Sequence, residues 1–360
     1  MSQIFRKNIL IICEGSTTEP NYFDNLRDLS LKQLPEYQIK IRPLPESAKI
    51  EVAQASSATQ RQGRKSRQMN DVVVKEQPIP EEYAAQPLRY VWEAQQGLVD
   101  ETYDEVWAVF DLDEHPKHAE AFALSKETIK GKSVQIAFSS ISFETWILLH
   151  FEYNVTAFEK SQCRTQRELH HCGQDIHEHD CHGERCVTGY LKIKDFVEKQ
   201  KDIKKIRFHE LQDKIAIALK NAVSLRATFP ANQPIYEINP ITTVDRLVFK
   251  LLHSKFDFQW RDIDSVTIHG RKATVTKHGG VLTIVVRNLT DTSFILLPTH
   301  LLLFNTKGES ILVGRKELLD PQSSSSSQVI DLTTLQNFEP TYLGFEIKDG
   351  VSGIAEIPVN

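Results

Sequence analysis

Three carboxylates stand out by position. Glu14 ends the apolar run of "LIICEGSTTE" (10–19), and Asp111 and Asp113 end that of "VWAVFDLDEH" (106–115). A spacing of two in extended chain puts both aspartate side chains on the same side. Three carboxylates gathered in a partly buried site repel one another unless a cation sits among them. Hard oxygen ligands favour Mg²⁺ or Mn²⁺. The chemistry to expect is phosphoryl transfer or phosphodiester cleavage, with the metal stabilising charge on phosphate oxygens and a carboxylate moving protons. Acids end strands routinely because loops are polar, so either stretch alone carries little; the two together carry the reading. Glu144 in "SFETWILLHFE" (142–152) lies just past another strand end. It reads either as a further catalytic or ligand carboxylate, or as a helix-start charge favoured by the dipole. Glu19 reads as a first-turn helix residue, and His115 and Lys117 as loop residues within reach of a phosphate.

A second constellation is "CRTQRELHHCGQDIHEHDCHGERC" (163–186), which holds four of the five cysteines. Zn²⁺ takes four Cys or His ligands in a tetrahedral site. Cys172, His177, Cys181 and Cys186 are spaced loosely enough for one loop to wrap an ion, with His170, His171, His179, His182 and Cys163 as rivals. The zinc would be structural, because the segment is too polar to fold alone. The bland alternative is an exposed polar insertion. A basic stretch, "RQGRKSRQ" (61–68), gathers Arg61, Arg64, Lys65 and Arg67 without an acid and could hold a phosphate backbone or simply be solvated.

The elements that must position these residues alternate. Residues 7–13 read as a strand, 19–29 as a helix with Pro20 in its first turn, and 37–44 as a strand. "DVVVKE" (71–76) reads as another strand, 86–97 as a helix, "VWAVFDLD" as a strand, 118–131 as a helix and 133–139 as a strand. Such alternation implies a mostly parallel sheet with flanking helices. Residues 155–254 read as a helical extension, with "HELQDKIAIALKNAVSL" (209–225) at helical spacing and a last helix after Thr242 or Thr243 as cap. From about 255 the pattern becomes short β-rich runs split by Gly, Asn and Asp, which reads as an all-β, immunoglobulin-like sandwich. The expected domains are therefore 1–254, with 163–189 as a Cys/His-rich insertion, and 255–360.

Glu-Gly after the first strand with DxD after a later one resembles the Toprim domain of topoisomerases, primases and related nucleases. "ILIICEGSTTEPNYFDNLR", "VWAVFDLDEH", "FSSISFETWILLHFE" and "NPITTVDRLVFKLL" occur in the order seen in the RloB family of Toprim-like bacterial proteins. Ser140-Ile141 stands where that family's third motif would carry Asn-Pro. The resemblance implies a Toprim-like fold and a metal-dependent nuclease in anti-phage defence of the abortive-infection kind. Glu14 would be general acid or base, and Asp111 and Asp113 would bind Mg²⁺. It further implies an ABC-type ATPase partner and a DNA or RNA substrate, tRNA included. Two other readings stay open: a non-catalytic nucleic-acid-binding or sensor subunit, and a nucleotide phosphotransferase. The resemblance stops near residue 254. The sandwich has no chemical motif and reads as an interaction module for a partner, self-association into a homo-oligomer, or target recognition.

Composition is compatible. With 43 Lys+Arg against 48 Asp+Glu the net charge is −5, so nucleic-acid binding would rest on local patches. The longest apolar run, "FILLPTHLLLF" (294–304), is broken by Pro298, Thr299 and His300 and is too short to span a membrane. Arg6-Lys7 before "ILIIC" faintly resembles a signal peptide, but the apolar part is too short and Glu14 interrupts it, so the expectation is a cytoplasmic protein.

Overall fold

A computed structural model describes residues 7–33, 37–44, 78–100, 102–112, 115–162, 185–197, 208–230, 232–253, 258–260, 265–268, 270–322, 325–335, 337–347 and 351–357. The amino-terminal sheet contains β1 (Lys7–Cys13), β2 (Tyr37–Arg42), β3 (Glu105–Asp111), β4 (Gln135–Ser140) and β5 (Ile241–Thr242), in spatial order β2-β1-β3-β4-β5. The first four strands run parallel, and β5 closes the edge antiparallel to β4. Between them lie α1 (Thr18–Gln33), α2 (Leu88–Val99), α3 (His118–Ser125) and α4 (Glu144–Leu149), followed by α5 (Val187–Ile193), α6 (Ile215–Arg226) and α7 (Val244–His253).

The near-continuous apolar character of β1 and β3 has a direct cause. Ile9, Ile11, Trp107 and Val109 face α1, α4, α6 and α7. Their neighbours Leu10, Ile12, Val106, Ala108 and Phe110 face α2 and α3. A strand covered on both sides cannot alternate polar with apolar. At the amino end of β3, Glu105 lies 2.8 Å from Lys7 and 3.5 Å from Lys250 and accepts from the Trp107 indole N–H. Burial alone would raise this carboxyl; Lys250 and Lys7 with those hydrogen bonds outweigh burial and hold it at about 2.

The expected strand at 71–76 lies outside the described residues. The last helix starts at one of the two threonines expected as its cap. The Thr242 hydroxyl accepts from the Val244 N–H at 3.2 Å, whereas the Thr243 hydroxyl accepts from Phe138 N–H on β4. Thr243 therefore serves the sheet edge and leaves capping to Thr242. No helix among the described residues is long and apolar enough to cross a membrane.

The carboxyl-terminal part is built from β-strands. β6 (Phe258–Trp260), β11 (Leu301–Phe304), β12 (Ser310–Leu312), β15 (Tyr342–Ile347) and β16 (Val351–Glu356) form one sheet, ordered β12-β11-β15-β16-β6. β7 (Ser265–Ile268), β8 (Arg271–His278), β9 (Val281–Asn288) and β14 (Ser325–Asp331) form a second, ordered β14-β9-β8-β7. β10 (Phe294–Leu296) and β13 (Glu317–Leu319) make a separate antiparallel pair. Pairing is antiparallel except between β16 and β6. Ala273, Ile284 and Val286 from one sheet pack with Leu301, Leu303, Leu343 and Phe345 from the other.

The first of these sheets is buried on its other face as well. Leu302, Phe304, Tyr342 and Ile354 belong to the same core as α6 and α7, which is why β11 reads "LLLF" without alternation. At this junction Arg226, at 0% exposure, donates through Nε to Glu356 at 2.8 Å and through Nη1 and Nη2 to Asp245 at 2.7 and 2.6 Å. It also donates to the Thr242 carbonyl. Arg246 donates to the second oxygen of Glu356 at 2.8 Å, and the Tyr342 hydroxyl lies 3.4 Å from Asp245. Burial would raise the Glu356 carboxyl; Arg226 and Arg246 outweigh it and hold it below its ordinary range.

Two outcomes follow from this packing. Arg226→Met leaves Asp245 and Glu356 buried without the guanidinium they share, and should cost about 3–5 kcal/mol in urea denaturation; a cost near zero would contradict the junction. His150, buried beside Tyr22 and Trp146, is lowered to about 4 by burial, and His253 to about 4 by the same cause. Their folded values lie below the unfolded value of roughly 6.5, so the unfolded chain takes up the protons first. Stability should be complete above that pH and decline as pH falls from about 6.5 towards 4. The decline should be shallower in His150→Phe when melting temperature is followed across that window.

Candidate active site

The sheet order creates one crevice. The chain leaves β1 through α1 to β2 on one side, then returns with β3 on the other. The carboxyl ends of β1 and β3 flank that reversal, which is where open α/β sheets hold ligands. Glu14 follows the last residue of β1, and its N–H donates to the Val109 carbonyl at 2.9 Å, carrying the ladder one step beyond the strand. Its Oε2 accepts from the Asp111 N–H at 2.9 Å. Its Oε1 lies 3.7 Å from Nε2 of His115, a contact that is an ion pair when that ring is protonated. The Glu14 side chain is 12% exposed, enough to be reached from the crevice. Asp111, half-buried at the end of β3, is itself steadied: His118 Nε2 lies 3.0 Å from its carbonyl, and Leu112 N–H donates to Ser139 at 2.8 Å.

The structure thus brings Glu14 and Asp111 together. Glu144 begins α4, past the carboxyl end of β4, and is buried. Phe143 beside it packs edge-on against Tyr22 and Phe23 of α1. The Ser140–Ile141 peptide before it is cis. Asp113 lies outside the described residues, as do Arg61, Arg64, Lys65, Arg67, Cys172, His177 and Cys181.

The cofactor expectation needs correcting. Mg²⁺ or Mn²⁺ at Glu14, Asp111 and Asp113, and Zn²⁺ at Cys172, His177, Cys181 and Cys186, require at least three converging ligands. Among the described residues no group of three or more His, Cys, Asp or Glu side chains could hold a metal ion. The local reasons are visible. Glu14 directs one oxygen to a backbone N–H and the other towards an imidazole. Cys186 is fully buried, and its thiol accepts from Gly189 N–H at 3.3 Å as the cap of α5. That is a packing and capping role, and it turns the sulfur inward.

Two contributors escaped sequence reasoning. Glu19 does sit in the first turn of α1 as expected, but it is 6% exposed and its carboxylate lies over Gly15. Burial, with the charge of Glu19 added, raises the Cys13 thiol at the end of β1. The signal that could have revealed this was the glycine itself, which is needed where a carboxylate approaches the backbone. His118 was read only as the start of a helix. Its ring nevertheless bonds the backbone that carries Asp111.

The model of a family described as RloB-like protein matches residues 9–251, about two thirds of the chain. No curated protein and no solved structure matches. The matched span includes β3, β4 and α4 whole and most of β1 and α7, and so both strand ends that carry Glu14 and Asp111.

A methyl group on Gly15 would fall inside the van der Waals envelope of the Glu19 carboxylate. Gly15→Ala should therefore cost about 1–3 kcal/mol. Most of that cost should disappear in a Glu19→Ala background. Urea titration of the two single variants and the double variant checks this; additive costs would contradict the contact.

Proposed function

The chain belongs to the RloB-like protein family, and from that premise we propose that it is a nuclease that hydrolyses phosphodiester bonds of DNA or RNA in bacterial anti-phage defence. One observation carries the reading: a partly exposed carboxylate, Glu14, held in fixed orientation at the switch-point crevice by the Asp111 N–H. The Asp111 N–H fixes Oε2, and Oε1 faces His115 on the crevice rim, where a general base can exchange a proton. Glu14 takes the proton from the attacking water as its oxygen bonds to phosphorus. The departing nucleoside oxygen leaves with the bonding pair and takes a proton from solvent water, and Glu14 later returns its own proton to solvent. In this reading His115, at 43% exposure and 3.7 Å from Glu14, contacts the phosphate from the crevice rim. Glu144 is a buried carboxylate at the same end of the sheet.

An ABC-type ATPase regulates the enzyme in this reading. The sandwich supplies surface for such a partner: Ile295 and Leu318 are cross-strand neighbours on the β10–β13 pair, and both are more than half exposed.

Full-length protein should cleave at least one of four end-labelled substrates: single- or double-stranded DNA, or single- or double-stranded RNA. Glu14→Gln should lower that rate by about 100-fold or more with an unchanged melting temperature. His115→Ala should lower it less. Binding without cleavage by the parent chain, or full activity in folded Glu14→Gln, would refute the catalytic reading.

A further inference from the structure

At the opposite pole of the parallel sheet from Glu14, a cleft of about 350 Å³ opens between the end of α3, the amino ends of β3 and β4, and the first turn of α7. Small-molecule sites commonly occupy roughly 300–1,000 Å³. Three features define what this one would hold.

The first is charge. Lys126 and Arg246 line the cleft, accompanied by the hydroxyls of Ser125, Ser133 and Thr243, and none of its lining residues is acidic. Arg246 is not a wandering surface cation. Two of its nitrogens are bonded to Glu356, at 2.9 and 2.8 Å, which fixes the guanidinium where it lines the cleft. The second feature is the sheet edge. β5 covers β4 only at Ser139 and Ser140, and Thr243 then takes over, accepting from Phe138 N–H and donating to the Ile136 carbonyl. In a parallel ladder alternate residues turn both N–H and C=O to the same side. Phe138 and Ile136 therefore share the outward side, and the Ile136 N–H points along an edge with no strand opposite it among the described residues. The third feature is an aromatic wall. Phe122 is partly exposed on the cleft and is held by Phe110, Phe138 and Tyr236, with ring centroids 5.9, 5.6 and 5.3 Å away.

A held guanidinium, an exposed lysine and a backbone donor beside a rigid ring suit a planar ring that carries an anion. We infer that this cleft binds a mononucleotide, with its base against Phe122 and its phosphate against Lys126, Arg246 and the Ile136 N–H. Charge-assisted contacts from a held guanidinium supply orientation, and the ring supplies the area that separates a nucleotide from free phosphate. The site is distinct from the Glu14 crevice, and it does not depend on the nuclease reading. Through Arg246 and Glu356 it also adjoins β16 of the sandwich.

Isothermal titration of the full chain with adenosine 5′-monophosphate, adenosine and inorganic phosphate tests the assignment. The expected result is saturable binding of the nucleotide, one per chain, tighter than that of adenosine or phosphate by about tenfold or more. Lys126→Glu, at an exposed position, should weaken nucleotide binding by about tenfold. Ser133→Trp, which fills the cleft, should abolish it. Glu14→Gln, at the other pole, should leave it unchanged. Absence of saturable nucleotide binding would overturn the inference, as would phosphate binding as tight as the nucleotide. So would an affinity indifferent to both cleft variants, or one lost in Glu14→Gln. Circular dichroism of each variant establishes that it is folded, and either cleft variant alone suffices for the comparison.

Discussion

The guanidinium of Arg226 ties together parts of the chain that are far apart in sequence. Fully buried, it bonds Asp245 on α7, Glu356 on β16 and the Thr242 carbonyl on β5. A charge withdrawn from water is tolerable only with partners on every side, so these elements must assemble around it together. The consequence reaches the crevice. Thr242 pairs with Ser139 on β4, and Ser139 accepts from Leu112, the residue after Asp111. The sandwich is thereby joined to the strand that backs the candidate active site, and the two share one continuous core through Leu302, Phe304 and Tyr342.

The amino-terminal sheet was legible because its physics is local and repetitive. β1 and β3 are apolar on both faces, and an acid marks where each leaves the core. The expected helices at 19–29 and 86–97 correspond to α1 and α2, and in α2 the apolar stripe is plain: Leu88, Val91, Ala94 and Leu98 are buried. The carboxyl-terminal strands were legible from their turns. The burial of β11 on its second face was also written in "LLLF", a run too apolar for a sheet with one solvated side.

Less legible were features set by contacts distant in sequence. Arg226 closes α6 looking like an ordinary last-turn cation, and its partner Glu356 lies 130 residues away. Glu19 looked like a helix-start charge, and only the folded turn shows its carboxylate lying over Gly15. The metal expectation erred for a related reason. Counting ligand-type residues cannot tell whether a side chain already has work, and Cys186 caps a helix while Glu14 accepts a backbone N–H.

The central claim is that phosphodiester chemistry occurs at Glu14, in the crevice between β1 and β3. The most direct measurement is a crystal structure of the Glu14→Gln chain bound to an oligonucleotide that the parent chain cleaves. The account predicts the scissile phosphate within hydrogen-bond reach of the residue-14 side chain, directly or through one water. An oligonucleotide seated elsewhere, with the crevice empty of phosphate, would contradict it.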